Sequence, residues 1–361
     1  MGLGVSYSTL HPFKSPLQGV GVKLIKIIML KIGLLGAGMI GKIHIDGLLS
    51  MNSKIAKFTA VCDIDEKKRT EFAQNYNLRA FADLNEMLDD PDIDIIDLCL
   101  PSFMHEEFAV KIARAKKHIL IEKPVAFTLD AARNIFAAAR ENAVRIMVAQ
   151  VLRFWPEYVK IKEIIDSGEL GEIITIYAAR LGQMVTWVDW YKDPEKSGET
   201  LLNLTQHDID FLHHLLRKPV SVYSAGTRDA NNNYNDVMNI FRFECGANAM
   251  VDGSLSMTAG YPFTMRMRAL GTNGTLEFSY IAGENIGPDS ASSLMWYRKG
   301  EKGVKVEIEN YDPYGKEIEY FAQCIIDGKE TETVTEQSVM QVLSSILAAK
   351  ESLVTGEIRK L

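Results

Sequence analysis

Cysteine is scarce and unpaired in this sequence. Four occur in 361 residues, Cys62, Cys99, Cys245 and Cys324, with no CxxC among them, so neither a disulfide framework nor a thiolate metal site is indicated. Three sit in or beside apolar runs, as buried free thiols do, which fits a reducing cytoplasm. A basic surplus is missing too. The net charge of −7 and pI near 5.6 argue against a nucleic-acid partner and leave a small molecule as the expected ligand. Long apolar runs are also lacking: Val20 to Leu35 is broken by Lys23, Lys26 and Lys31, short of the ~20 residues that a membrane span needs. No small-residue cleavage site follows a clean apolar core, against a secretory signal. There are no repeats and no low-complexity tract. Residues 1–28 read as an appendage, either a true extension or the product of an upstream start, with Met29 just ahead of a good first strand.

What is present suits two domains. The length exceeds one ordinary core, and 47% apolar residues can fill two. From Leu30 to Gln150, apolar runs at 31–35, 58–62, 93–99, 118–121 and 145–148 read as buried parallel strands. Between them, 66–74, 103–115 and 129–142 carry helical spacing, which makes a βαβ series and a doubly wound α/β sheet over residues 29–150. Beyond Gln150 the pattern changes. A helix at 156–167 precedes strand-like stretches at 172–183, 219–226, 237–244, 247–257, 264–270 and 274–280, which suggest a large, mostly antiparallel open sheet. Helices at 202–216, 315–326 and 338–354 complete an α+β domain over 151–361.

Gly36-Ala37-Gly38-Met39-Ile40-Gly41 follows the first strand and opens a helix. Its glycines permit a tight turn, close approach of a pyrophosphate and helix–strand packing, and free N–H groups at the helix start would meet phosphate oxygens. Alone the pattern is an ordinary glycine-rich turn; here the flanking elements match, and Asp63 ends the second strand 22 residues beyond Gly41. A carboxylate there accepts ribose hydroxyls and repels a 2′-phosphate, so NAD is expected in preference to NADP. Lys67, Lys68 and Arg69 could reach a 2′-phosphate or simply form a solvated helix face.

Further along, Leu100-Pro101 ends a strand at the ligand edge, and His105 near the next helix start has two readings, cofactor contact or structural residue. Glu122-Lys123-Pro124 follows the strand 118–121 directly. On spacing alone it is solvated surface, but at the end of a central strand the lysine lies where a nicotinamide should. Pro124 restricts Lys123 and could hold a cis turn. A partly desolvated ammonium there could stabilise a developing alkoxide, with its pKa lowered by the site. Asn203 and His207 share a helical face, with Asp210 close by. His207 is a structural histidine or, if its helix faces Lys123, a base. Trp187, Trp190 and Tyr191 form either a sugar-facing wall or a structural aromatic cluster.

Together, the Gly36 turn, Pro101 with His105, Glu122-Lys123-Pro124, Arg153-Phe154-Trp155-Pro156, Ser197-Gly198 and His207-Asp208-Ile209-Asp210 resemble the glucose-fructose oxidoreductase / inositol dehydrogenase / rhizopine-catabolism (Gfo/Idh/MocA) family over about residues 30–361. The resemblance implies a Rossmann domain plus a C-terminal open-sheet domain that builds homodimers or homotetramers. It implies Lys123 as the active-site lysine and His207 as the residue that exchanges the substrate hydroxyl proton. It also places Glu122, Gln150 and Arg153 near the nicotinamide end. Well-known inositol dehydrogenases have an aspartate four residues before the histidine, where this chain has Asn203, which can hydrogen-bond a sugar hydroxyl but cannot take its proton. The expected reaction is NAD-dependent oxidation of a secondary alcohol on a cyclic polyol, sugar or sugar derivative, with no metal. The alternatives are a glycosidase that uses NAD for transient oxidation and a non-catalytic sugar or nucleotide sensor.

Overall fold

The five apolar runs and one strand that the pattern did not reveal make a parallel sheet. In the computed structural model, which describes residues 1, 28–184, 188–282 and 290–361, β1 (Leu30–Leu35), β2 (Ala56–Cys62), β3 (Arg79–Phe81), β4 (Ile95–Leu98), β5 (His118–Ile121) and β6 (Ile146–Val148) take the order β3-β2-β1-β4-β5-β6. Every neighbouring pair is parallel. Residues 2–27 of the appendage and Trp187 lie outside the described residues. β3 was invisible to apolar patterning because it is a three-residue edge strand with no buried side chain. The crossovers carry α1 (Met39–Ser50), α2 (Glu66–Tyr76), α3 (Leu84–Leu88), α4 (His105–Arg114) and α5 (Leu129–Glu141). Their starts are set locally: Thr128 Oγ1 accepts the Ala131 amide at 3.2 Å, and Ala132, Ile135, Phe136 and Ala139 then repeat at helical spacing on the buried face of α5. Strand order reverses between β1 and β4, which opens a crevice beyond their carboxyl ends.

The rest of the chain forms α6 (Pro156–Asp166), β7 (Ile173–Leu181), α7 (Pro194–Ser197), a π-helical turn at Leu201–Thr205, α8 (Gln206–Leu216), β8 (Pro219–Arg228), β9 (Tyr234–Phe243), β10 (Asn248–Ser254), β11 (Thr264–Gly271), β12 (Gly274–Ile281), β13 (Ala291–Arg298), β14 (Val304–Lys305), α9 (Pro313–Ile326), α10 (Glu336–Thr355) and β15 (Arg359–Lys360). The strands order as β14-β13-β12-β11-β7-β10-β9-β8-β15. All pairs are antiparallel except β7 with β10. Alternation sorts the two faces: Phe241, Val251, Met267 and Phe278 are buried, while Tyr223, Met238, Ile240 and Ile281 point outward and are exposed. One expected helix, 202–216, is broken in character, since its first turn is π rather than α.

The two sheets are tied by α9, which returns to the first domain and packs on α1. A Cβ on Gly315 would come within 2.3 Å of the Gly47 carbonyl oxygen, and one on Gly47 within 2.8 Å of the Gly315 amide. Only glycine at both positions lets the backbones approach this closely. The packing covers one flank of α1 and brings the Tyr314 and His44 ring centroids to 5.7 Å.

Candidate active site

At the β1–α1 turn, Gly36 has φ +107°, and a Cβ there would meet the Cys99 carbonyl oxygen at 2.7 Å. Both facts require glycine. Gly38 differs, because a Cβ there would meet nothing within 4 Å, so its backbone borders open space. No side chain caps the start of α1 at Gly38, and the first amides of the helix are left for an anion. Asp63 Oδ2 accepts the Ala37 amide at 2.8 Å and Oδ1 the Asp65 amide at 2.8 Å, which fixes the carboxylate against the turn. Met39 (68% exposed) and Ile64 (95% exposed) present apolar surface beside it, as an adenosine-binding rim would. These residues fit a dinucleotide. Arg69 reaches back so that its Nη1 donates to the Asp63 carbonyl at 2.7 Å, so its side chain lies against the strand end rather than free on the helix face.

The β4 and β5 ends are clamped to each other. His105, fully buried, sits between the carbonyl oxygens of Leu100 (Nε2, 3.0 Å) and Pro124 (Nδ1, 2.9 Å). Burial pushes its pKa down. As a neutral ring it donates to one of these carbonyls at a time, and it joins Leu100-Pro101 to the cis Lys123–Pro124 peptide. Glu122, also buried, receives His44 Nε2 at 3.2 Å on Oε1 and the Lys123 amide at 2.9 Å on Oε2.

Lys123 Nζ donates to the Asn203 carbonyl at 3.0 Å, so the helix that begins there does face the lysine. The approach is stepped. Gly198 and Glu199 both have positive φ, and the π turn follows, an irregularity frequent at functional sites. Desolvation lowers the Lys123 pKa below the usual lysine value, the Glu122 carboxylate pulls it back up and Arg180 pushes it down again. His207 is held well below the usual histidine value by burial first and then by the Lys123 and Arg180 cations. It is therefore a neutral imidazole at neutral pH, able to accept a proton.

Four buried polar atoms nearby have no partner among the described residues: His207 Nδ1, Asn203 Nδ2 and both side-chain atoms of the Gln150 amide. Gln150 lies two residues past Val148, which pairs with Ile121, and so stands beside Lys123 at the sheet edge. Buried polar groups are ordinarily satisfied, and this concentration marks a place built for a polar ligand. The other amide atom of Asn203, Oδ1, accepts the Tyr191 hydroxyl at 3.1 Å. Tyr191 stacks on Trp190 with centroids 4.4 Å apart, and Trp190 meets Phe103 edge-on. Tyr191 thus stands in an aromatic cluster with Trp190, and its hydroxyl is spent on Asn203.

Arg153 points elsewhere. Its guanidinium forms a bidentate pair with Asp210 at 2.9 and 2.6 Å and donates to the Thr333 carbonyl and Ser338 hydroxyl. It is fully engaged in binding α8 to the start of α10. A second pair, Arg180 with Asp208 at 2.8 and 3.2 Å, flanks His207 from β7. Arg180 is a site residue that sequence reading missed. Its signal was a charge at an inward position of β7, between buried Ala178 and Ala179 and the next turn.

A parallel sheet of order 3-2-1-4-5-6 carrying a glycine turn, joined to an open mixed sheet that supplies a histidine opposite a strand-end lysine, defines a two-domain nicotinamide-type oxidoreductase fold. Residues 30–150 match the model described as oxidoreductase family, NAD-binding Rossmann fold, and residues 158–277 match the GFO/IDH/MocA C-terminal domain. The chain belongs to the Gfo/Idh/MocA oxidoreductase family. Uncharacterized oxidoreductase YrbE of Bacillus subtilis is 30% identical over 334 residues, 90% of this chain and 94% of that protein. The scyllo-inositol 2-dehydrogenase (NAD(+)) of the same organism is 26% identical over 330 residues, 89% of this chain and 93% of that one. The crystal structure of aldose-aldose oxidoreductase from Caulobacter crescentus superposes with a TM-score of 0.82 at 19% identity, covering 92% of this chain and 100% of that one, a likeness of fold.

Proposed function

We propose that this oxidoreductase uses NAD to oxidise a secondary alcohol of a cyclic polyol, sugar or sugar derivative, or reduces the corresponding ketone. The observation that carries the reading is Lys123 and a neutral His207, its Nδ1 buried, near one another beside polar atoms that lack a partner among the described residues. Gly36, Gly38, Met39, Ile40, Gly41 and Asp63 would hold the dinucleotide, with Leu100, Pro101 and Glu122 bordering it and Gln150 at its nicotinamide end. The bound nicotinamide supplies the hydride acceptor. His207 takes the hydroxyl proton on its imidazole, and the Lys123 ammonium donates to the same oxygen as negative charge builds on it. Asn203 Nδ2 is a ready donor for a neighbouring hydroxyl. Arg153 acts at one remove, by holding Asp210 and hence α8.

NAD is favoured over NADP by the fixed Asp63 carboxylate, and the NAD(+) in the name of the scyllo-inositol relative agrees. We further assign 29–150 as the dinucleotide domain, 151–361 as the substrate domain, and the outward sheet face around Met238 and Ile240 as the contact that builds a homodimer or homotetramer. The free buried thiols of Cys62, Cys99 and Cys324 support a cytoplasmic location. Among the described residues no helix is long and apolar enough to cross a membrane. The test is a panel of inositols, aldoses and their derivatives incubated with NAD or NADP while reduced nicotinamide is followed by absorbance. Turnover with NAD supports the reading. Aglycone release without net NADH, or binding without turnover, overturns it.

A further inference from the structure

His44 lies outside every role assigned above, yet it is fully buried and both its ring nitrogens are taken by carboxylates. Nδ1 is 2.8 Å from Asp97 Oδ2 and Nε2 is 3.2 Å from Glu122 Oε1. Asp97 is itself unusual, a carboxylate with no exposed surface in the middle of the central strand β4. Neither would persist in a sheet core without the other, because an unpaired buried charge costs several kcal/mol, about the whole margin of a domain. The second oxygen of Glu122 receives the amide of Lys123. The four residues therefore alternate in sign, Asp97, His44, Glu122, Lys123, from the sheet interior to the site. The imidazole stands on α1, the helix that opens at the glycine turn. His44, Asp97 and Cys99 place their donor atoms within 4.8 Å of one another, and both imidazole nitrogens already lie within hydrogen-bond distance of carboxylate oxygens.

We propose that His44 is a positioning residue for Lys123: held as an imidazolium by Asp97, it keeps Glu122 ionised and oriented, and Glu122 in turn fixes the lysine and its charge. The proposal rests on the catalytic reading of Lys123 given above. Every group that faces His44 agrees with the cation. Asp97 and Cys99 come from the β4 side, Glu122 from the end of β5, and Tyr314 and Glu317 from α9; none is basic. Burial pulls the His44 pKa down, but Asp97 and Cys99 carry it well above the ordinary value. Lys123 feels Glu122 and Arg180 as charges, so the influence of His44 on it passes through Glu122.

The sign of the effect follows. In His44→Gln, Glu122 loses its cationic donor and takes up a proton in its buried site, and Lys123 loses the anion beside it. Its ammonium then releases its proton more readily. The reactivity of the Lys123 amine towards acetic anhydride, read by peptide mass spectrometry against pH, should move about one pH unit to lower pH, roughly a tenfold gain at a fixed pH below the midpoint. Asp97→Asn should move it the same way by less. Dissociation of NADH, read by its fluorescence, should change by no more than about twofold, since neither substitution removes a group from the glycine turn. A merely structural role would alter stability and leave the labelling midpoint in place. Should either variant fold poorly, the nitrogen-15 shifts of His44 in the unsubstituted protein decide: a doubly protonated ring at pH 7.5 is expected. A neutral ring, or a labelling profile unmoved in both folded variants, overturns the proposal. A shifted profile in a protein that turns over no polyol or sugar would keep the relay and sink the functional reading instead.

Discussion

The two walls of the site are built on opposite plans. On the dinucleotide side, the ionisable groups behind Lys123 are paired: His44 and the Lys123 amide satisfy Glu122, Asp97 satisfies His44, and two carbonyls hold His105. On the substrate side, His207 and Asn203, with Gln150 at the end of the dinucleotide domain, keep buried atoms with no partner among the described residues, although paired charges at Asp208 and Asp210 hold α8 on either side of His207. The first wall is finished before any ligand arrives, so it can set the geometry and charge of one group, the lysine. The second is left open at the atoms that a hydroxylated ligand would complete, and its rigidity comes from arginine–aspartate pairs set one shell back. Preorganisation and recognition are thereby divided between the domains.

The comparison breaks most sharply at the two reacting side chains. Lys123→Ala should lower kcat/KM by about 10³-fold and His207→Ala by about 10²- to 10⁴-fold, the range for a lost oxyanion donor and a lost general base. Steady-state NADH production measures both. If both variants turn over at the parental rate, the two walls have another purpose. Next in size is the pH profile. His207 must be neutral to accept a proton, and its pKa is held well below 6.5 by burial, Lys123 and Arg180, so activity should fall only as pH drops into the range below 6.5. Lys123 must be charged, and desolvation sets its pKa below 10.5, so the alkaline limb should begin below that value. His207→Asn should abolish the acid limb of whatever activity remains, and an acid limb that persists would assign it to another group.

A smaller effect is expected where the finished wall meets the adenosine end. Asp63→Ser removes the acceptor that Ala37 and Asp65 orient. The loss of one charge-assisted acceptor, about 1.5–3 kcal/mol, should weaken NAD binding roughly tenfold or more. NADP should weaken less, because the repulsion goes as well, with Arg69 close by at 2.7 Å from the Asp63 carbonyl. Isothermal titration with both nucleotides reads this directly, and equal losses for the two would remove Asp63 as the source of selectivity.

Legibility follows the same divide. The dinucleotide wall could be read from the chain because its parts are local: a strand, a glycine turn and a strand-end carboxylate each leave a contiguous signature, and residues 118–121 were bounded as β5 without error. What the pattern missed there was β3, too short and exposed to show apolar alternation, and His44, whose partners lie 53 and 78 residues away. The substrate wall is assembled from long-range pairs. Asn203 and His207 could be placed on one helix, but nothing in their spacing reveals a π turn, or that Arg153 would be spent on Asp210 and Arg180 on Asp208. Asp208 and Asp210 alternate with His207 and Ile209, and only the packed structure says which aspartate meets which arginine. Sequence identified Lys123 as worth watching; its partner, the Asn203 carbonyl, is a backbone atom and has no letter.

One carboxyl belongs to neither plan. Glu317 on α9 is fully buried, and neither of its oxygens has a partner among the described residues. Desolvation raises its pKa well above the ordinary glutamate value; His44 pulls it down, and Glu122, Asp97 and Asp210 push it up. The linkage sign is fixed by that direction. Below the unfolded pKa near 4.5 the group is protonated in both states and costs nothing. As pH rises from there to the folded pKa, the unfolded chain releases its proton while the folded one retains it, and stability falls until the folded pKa is passed. Glutamine has the same shape and no such slope. Glu317→Gln should therefore match the parent in Tm near pH 4.5 and exceed it at pH 8 by about 2 °C or more, the shift that ~1 kcal/mol brings in a chain of this size. Calorimetry at the two pH values gives the difference. A variant that is less stable at pH 8 would mean that the carboxylate is ionised and held, with His44 as its natural counter-ion, and the finished wall would then extend across the domain boundary to α9.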